Sequence, residues 1–228
     1  MRIPAKRIPP LASGDRLTRD EFECRFDATP GLKKAELLDG IVYMPPPVSH
    51  EYHSSPDGRL LTLLGVYQAA TPYTLFGGNG SVRLDAHNMP QPDGYLLISP
   101  EAGGQARIDA ESYVAGAPEL VAEVAASSAS YDLHVKMDVY RRWGVREYVV
   151  WRTYDAELDF FVLRGDRYER SNTDEDGTWR SETFPGFRLA SRPLLAGDLA
   201  SALAVLQLSI ASPEHAAFVA RLRERAGA

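Results

Sequence analysis

The chain has 228 residues, 44% of them hydrophobic and 25% charged, which is enough for one large domain or two small ones with a real core. Its formal net charge of −6 argues against a protein that coats nucleic acid by bulk attraction, but not against a nuclease, whose clustered acids are partly neutralised when metal binds. The one cysteine, Cys24, excludes an intramolecular disulfide; with no signal peptide and no apolar run of membrane-spanning length, it points to a soluble protein of the cytoplasm.

Residues 1–16 are rich in Pro and Arg and read as a loose arm. A short helix is expected over 18–26, with Asp20 and Glu21 early in it. Two apolar runs, 35–38 and 41–44, flank Asp39-Gly40, a strong signal for a two-residue hairpin. Ser55-Pro56-Asp57 reads as a helix start with Ser55 as the cap, and Leu60, Leu61, Leu64 and Tyr67 recur behind it at helical spacing. Short strands are expected at 73–76 and 81–84, and apolar strands at 95–98, 119–124 and 147–151. Between the last two lies a helix over 130–143, closed by Gly144. From Leu158 the pattern becomes an antiparallel meander with strands at 159–163, 167–170 and 178–182. Helices at 198–208 and from Ser212-Pro213-Glu214 onward end the chain, the latter carrying Phe218 and Leu222 inward. A strand–helix–strand unit flanked by hairpins is an α/β, mixed-sheet signature. The expected division is an arm at 1–16, one domain at 17–200 and a helical extension at 201–228.

The central unit holds the informative residues. Asp93 starts one apolar strand, and Glu123 lies inside another, Leu120-Val121-Ala122-Glu123-Val124. A carboxylate in an apolar strand costs free energy unless it is paired, hydrogen-bonded or metal-bound. Two carboxylates on neighbouring strands could hold one hard divalent cation, which could activate water and stabilise charge on a scissile phosphate. Taken alone, Asp93 reads as a turn residue after Pro92, while a solvent-facing reading of Glu123 is opposed by the apolar Val121 on its face; taken together the two acids point to a metal site.

At these residues the chain resembles a known family. Ala35-Glu36-Leu37-Leu38-Asp39-Gly40-Ile41-Val42, Gln91-Pro92-Asp93, Pro118-Glu119-Leu120-Val121-Ala122-Glu123-Val124, Lys136-Met137-Asp138-Val139-Tyr140, Gly144-Val145-Arg146-Glu147-Tyr148-Val149-Val150 and Pro185-Gly186-Phe187 are similar, in order and spacing, to the Uma-two family (domain of unknown function 820). That family falls in the PD-(D/E)XK nuclease superfamily. The resemblance implies a restriction-endonuclease-like mixed central sheet flanked by helices. It implies an endonuclease acting on DNA with Mg²⁺, for which Mn²⁺ could substitute, and a homodimer. Asp93 and Glu123 would take the metal-binding acid positions, Glu36 a third acid position, and Lys136 would orient the attacking water or stabilise the transition state. A second reading is a nuclease-fold protein that binds nucleic acid or a protein partner without cutting.

Three departures from the family pattern matter. Where the superfamily's simplest motif has Lys two residues after the Glu, this chain has Ala125. Ala126-Ser127-Ser128 replaces a Ser-Pro loop. The family's His ahead of the second helix has two candidates, His53 and His50, and each also reads as a surface histidine. Glu36 reads about equally as a solvated edge-strand acid. Gln91 shares the face of Asp93 by strand parity and is a candidate for positioning water or phosphate. Lys136 reads as sitting at the edge of a Leu133–Met137–Tyr140 stripe, with a surface Asp132–Lys136 pair as the rival. Ser127, Ser128 and Ser130 read as helix caps. Lys33-Lys34 and Arg141-Arg142 are candidate phosphate contacts.

Overall fold

The computed structural model describes residues 8–126 and 128–227; residues 1–7 of the expected arm, and Ser127, lie outside them. The remainder of the arm is anchored. Leu11 is buried beside Leu17 and Phe22, Gly14 N donates to Val42 O, and Arg16 bridges to Ile41.

Helix α1 (Arg19–Asp27) is capped by Thr18, whose hydroxyl accepts from Glu21 N. Strands β1 (Glu36–Leu38) and β2 (Ile41–Tyr43) form the expected hairpin. Asp39 and Gly40 both have positive φ, 50° and 74°, the turn that matches the twist of the flanking strands and that Asp-Gly tolerates. The next helix begins earlier than Ser55-Pro56 suggested. Ser49 caps a π-helical turn (His50–Ser54), which runs directly into α2 (Ser55–Ala70). Ser55 is therefore not a cap.

Strands β3 (Thr74–Gly77), β4 (Val82–Arg83), β5 (Gly94–Ile98), β6 (Arg107–Ile108), β7 (Val114–Ala115) and β8 (Leu120–Ala125) follow. Helix α3 (Ala129–Tyr131) passes through a second π-helical turn (Asp132–Lys136) into α4 (Met137–Trp143), ended by Gly144 at φ 80°. Then come β9 (Glu147–Arg152), β10 (Glu157–Arg164), β11 (Arg167–Arg170), β12 (Thr178–Arg180) and β13 (Arg188–Ala190), and helices α5 (Ser191–Leu195), α6 (Leu199–Ile210) and α7 (Pro213–Ala226).

The central sheet is mixed, in the order β11-β10-β9-β8-β5-β3, with β8 and β9 parallel and the other pairs antiparallel. The helical segment 129–143 is the crossover that a parallel pair requires. The meander expected after Leu158 breaks after β11, because β12 leaves the central sheet to pair with β13. A small sheet, β4-β7-β6, includes two strands with no strong sequence signal, each two residues long.

Alternation along β8 divides the core. Leu120, Ala122 and Val124 face Leu60, Leu64, Leu206 and Phe218, so α6 and α7 complete the main core. Val121 and Ala125 face Val139, Tyr140 and Val82. Each fully buried Leu, Val or Phe contributes roughly 1.5–3 kcal/mol. Glu123 projects with the second set, into the layer beneath α4. Among the described residues no single helix is long and apolar enough to cross a membrane.

Candidate active site

Three segments distant in sequence deliver the acids. The register Gly94↔Ala122 places Asp93, the residue before β5, beside the end of β8; its Oδ2 accepts from Val124 N at 2.9 Å. Glu123 comes from the adjacent strand. Glu36 arrives on β1, which is held by reciprocal Leu37–Met89 backbone bonds of 3.1 and 2.7 Å. Its Oε1 accepts from Gln91 N at 2.7 Å. Glu36 is buried, so the solvated edge-strand reading does not hold.

Lys136 joins these acids. Its Nζ lies 2.9 Å from Glu36 Oε1, 3.0 Å from Glu123 Oε1 and 3.7 Å from Asp132 Oδ1. The helix therefore turns a different face to the sheet from the one its apolar spacing suggested. Asp132, Lys136, Val139 and Tyr140 are buried, while Leu133 and Met137 are only partly so. The π-helical turn accounts for this: Met137 N reaches back to Asp132 O, a wide i→i+5 bond that sets Asp132 and Lys136 inward. Asp132 and Lys136 do pair, but in the interior rather than on the surface. Tyr140 then donates to Glu123 Oε1 at 2.8 Å. Two residues at this centre gave no functional signal in the sequence: Asp132, which also accepts from Ser128 Oγ at 2.6 Å, and Tyr140, expected only as an apolar contact.

The second ammonium belongs to Lys34, considered beforehand only as a phosphate contact. Its Nζ lies 2.8 Å from Asp93 Oδ1. His53 Nε2 lies 3.3 Å from Asp93 Oδ2, so His53 is the histidine of the cleft and is not merely a surface residue. His50 is exposed and lines a separate cavity. Gln91 is not on a strand; its side chain donates to Asn79 O at 2.6 Å rather than to an acid of the cluster. Arg141 and Arg142 are engaged with Asp138, Asp166 and Asp39.

The electrostatics follow from burial at this density of charge. Glu123 is 1% exposed. Burial pushes its pKa well above the usual carboxylate range; Lys136 opposes this, and Asp93, Asp132 and Glu36 add to it. Asp93 is also buried, which by itself raises a carboxyl pKa. The His53 hydrogen bond and the charges of Lys34 and Lys136 outweigh that and hold it below its ordinary value. Burial lowers the pKa of Lys136, but Glu123, Glu36, Asp132 and Asp93 prevail and keep it charged. With all four carboxyls ionised, Glu36, Asp93, Glu123 and Asp132 would face two ammonium groups (Lys34, Lys136), a formal excess of two negative charges; without a further cation, burial and this crowding raise the pKa of Glu123 and Asp132.

The cluster opens onto a cleft of about 650 Å³ lined by Glu36, Asp93, Glu123, Asp132, Lys34 and Lys136 on one side and Tyr131, Tyr154 and the Pro45–Pro47 run on others. Hard carboxylate oxygens and a deficit of two positive charges fit a divalent cation of the Mg²⁺ type. Among the described residues no three His, Cys, Asp or Glu side chains form a closed ligand group. A cation here would therefore rest on two carboxylates and water, the shell that Mg²⁺ tolerates.

A mixed sheet whose central strands carry the buried acids Asp93 and Glu123, with a lysine brought to them by the crossover helix, places the protein in the nuclease-fold class. The chain matches the Uma2 family, described as "Putative restriction endonuclease", over residues 19–192, and it belongs to that family. Among solved structures it is similar to "a putative nuclease belonging to DUF820" from Anabaena variabilis, with a TM-score of 0.60 at 13% identity over 79% of this chain and 98% of that one. No curated protein matches the chain.

Proposed function

We propose that the protein is a cytoplasmic, Mg²⁺-dependent endodeoxyribonuclease, with Mn²⁺ as a possible substitute, that hydrolyses DNA phosphodiester bonds at the Asp93–Glu123 cleft. The observation that carries the reading is the convergence of four buried carboxylates, unbalanced by two ammonium groups, on one open cleft. Asp93 and Glu123 would hold the cation, and Glu36 would assist through Lys136. The metal, when bound, would lower the pKa of a coordinated water and polarise a phosphoryl oxygen. Lys136, fixed by Glu36, Glu123 and Asp132, presents a permanent positive charge that would orient the attacking water or balance charge on the phosphate. The helix thereby carries the lysine that Ala125 does not supply. Lys34 would exchange its place on Asp93 for the cation, and its partial exposure gives it room to move. A homodimer is proposed from the family resemblance alone; light scattering that shows only monomer at micromolar concentration would refute it.

One observation favours the second reading, a nuclease-fold protein that binds without cutting: both oxygens of Asp93 are already engaged, by Lys34, His53 and Val124 N. Calorimetric titration of Mg²⁺ separates the two. Binding that is lost in Asp93→Ala supports the nuclease; heat-silent titration of the wild type supports the alternative. The direct test is plasmid and single-stranded DNA with Mg²⁺ or Mn²⁺, wild type against Glu123→Ala, with cleavage expected to fall by roughly 10²-fold or more. Equal cutting by both proteins would remove Glu123 from the mechanism.

A further inference from the structure

A second cavity, of about 510 Å³, lies beside the candidate active site and is lined by His50, Glu51, Tyr52, Arg59, Trp151 and Thr153, among others. Two tyrosines stand where the cavity and the cleft adjoin. Tyr52 lines the cavity and Tyr154 lines the cleft. Their ring centroids are 4.7 Å apart, and they are 39% and 61% exposed. Both are carried by short-range structure that fixes them. Tyr52 sits in the π-helical turn ahead of α2, Tyr154 in the turn between β9 and β10, and Thr153 Oγ1 donates to Tyr52 O at 2.7 Å, tying the turns together. Large aromatic rings left in solvent at the mouth of a site offer stacking faces that any base can use. Beyond them Arg59 lines the cavity and, among the described residues, has no ion-pair or hydrogen-bond partner. An unpaired guanidinium in a concavity is suited to a phosphate. Glu51, exposed at the same cavity, is the one acid there among the described residues, so the cavity lacks the crowded acids of the cleft.

We propose that the substrate is DNA with unpaired bases next to the scissile phosphate, and that a base beside that phosphate stacks on the Tyr52–Tyr154 pair while the neighbouring phosphate meets Arg59. This rests on the nuclease reading and names its substrate class. In a continuous duplex every base face is covered by its neighbours, so the ring pair would have nothing to stack on. A single strand, or a strand flanking a junction, can turn a base out at lower cost.

The test uses the full chain and fluorescence anisotropy of labelled oligonucleotides in Ca²⁺, comparing a 20-nucleotide single strand with a 20-base-pair duplex. The single strand is expected to bind at least tenfold more tightly. Tyr154→Ala and Tyr52→Ala should each weaken it by about tenfold, the lower part of the range for base–aromatic stacking. Tyr154→Phe should restore it, since stacking needs the ring and not the hydroxyl. Arg59→Ala should weaken binding and reduce the salt dependence by about one counterion. Both tyrosines are exposed, so thermal unfolding of the Ala variants should match wild type, and a Tyr→Ala loss of binding without loss of stability supports the proposal. Equal affinity for the two DNAs with no effect of the Tyr substitutions overturns it, even where cleavage proceeds. If neither DNA binds, this proposal falls, and the cleavage assay with Mg²⁺ or Mn²⁺ decides the nuclease reading separately.

Discussion

Glu123 and Glu147 lie on neighbouring parallel strands and face opposite sides of the sheet. Both are buried, and burial raises the pKa of each. Their partners differ in kind. Glu147 is satisfied by neutral donors on both oxygens: Ser181 Oγ on Oε2, and Glu182 N and Thr183 N on Oε1. It ties β9 to the segment that leads into β13, and it lines neither the cleft nor the second cavity described above. Glu119 does the same work between β5 and the loop after it, accepting from Ile98 N and Gln105 N, each at 2.9 Å. At Glu123, among the described residues, both donors go to Oε1, one of them is charged, and three other carboxylates crowd the same space. A buried acid therefore marks an element of structure as readily as one of chemistry. What distinguishes Glu123 is unbalanced charge together with access.

The largest effect is expected on the charged side of this comparison. Lys136 is 3% exposed among three carboxylates. Replacing it by Met leaves those carboxylates uncompensated and should cost about 3–5 kcal/mol in urea unfolding. This departs from the reading of Lys136 as a residue at the edge of an apolar stripe. Adding Glu123→Gln to Lys136→Met removes one of the stranded charges and should recover part of the stability. A single variant as stable as wild type would mean that the ammonium is not the hub of the cluster.

The neutral side predicts a pH dependence. Burial raises the Glu147 pKa from its ordinary 4.5 to about 7, against the lowering by Ser181, Thr183 and Glu182. Between those pH values the folded state holds the proton and the unfolded state does not. Stability from this group is therefore full below about pH 4.5 and is lost as pH rises through about 7, by at most about 3 kcal/mol. Glu147→Gln cannot titrate. Urea unfolding at pH 5 and pH 8 should thus show a larger drop in wild type than in the variant. Equal drops would place the Glu147 carboxyl in the ordinary range.

The sequence exposes one half of this comparison better than the other. Glu123 and Asp93 were legible because each interrupts or begins an apolar strand, and Glu36 and Lys136 entered through the family resemblance. Asp132, Lys34 and Tyr140 were not legible as members of the site, for a physical reason. Helical spacing of 3.6 assigns Leu133 and Met137 to the sheet, whereas the π-helical turn, with no signature in composition, buries Asp132 and Lys136. Glu147, at the head of an apolar strand, resembles Asp93 as a string, and only its partners reveal a structural role. The hairpin and the starts of α1 and α7 were legible to within a residue, because the Asp-Gly turn and the Ser212-Pro213-Glu214 start act locally; Thr18, read as the first helical residue, is the cap of α1. Strands β6 and β7 were not, since two residues carry no period.

The smallest effect tests whether the helix beside the cluster touches DNA through its last turn. Arg142 is 38% exposed at its side chain, 2.7 Å from Asp39 of the hairpin turn and 3.0 Å from Asp138. Its charge is thus spent on two acids, which an approaching phosphate would have to displace. Exposed pairs of this kind contribute about 0.2–1 kcal/mol. Arg142→Ala should therefore lower stability by less than about 1 kcal/mol, and the loss should shrink further at 1 M salt, where screening acts within about 3 Å. DNA affinity should be unchanged, and so should its slope against salt. If Arg142 contacted phosphate in the bound state, that slope would fall by about one unit, and the arginine would belong to the DNA-binding surface instead of to the scaffold that holds the hairpin against the helix.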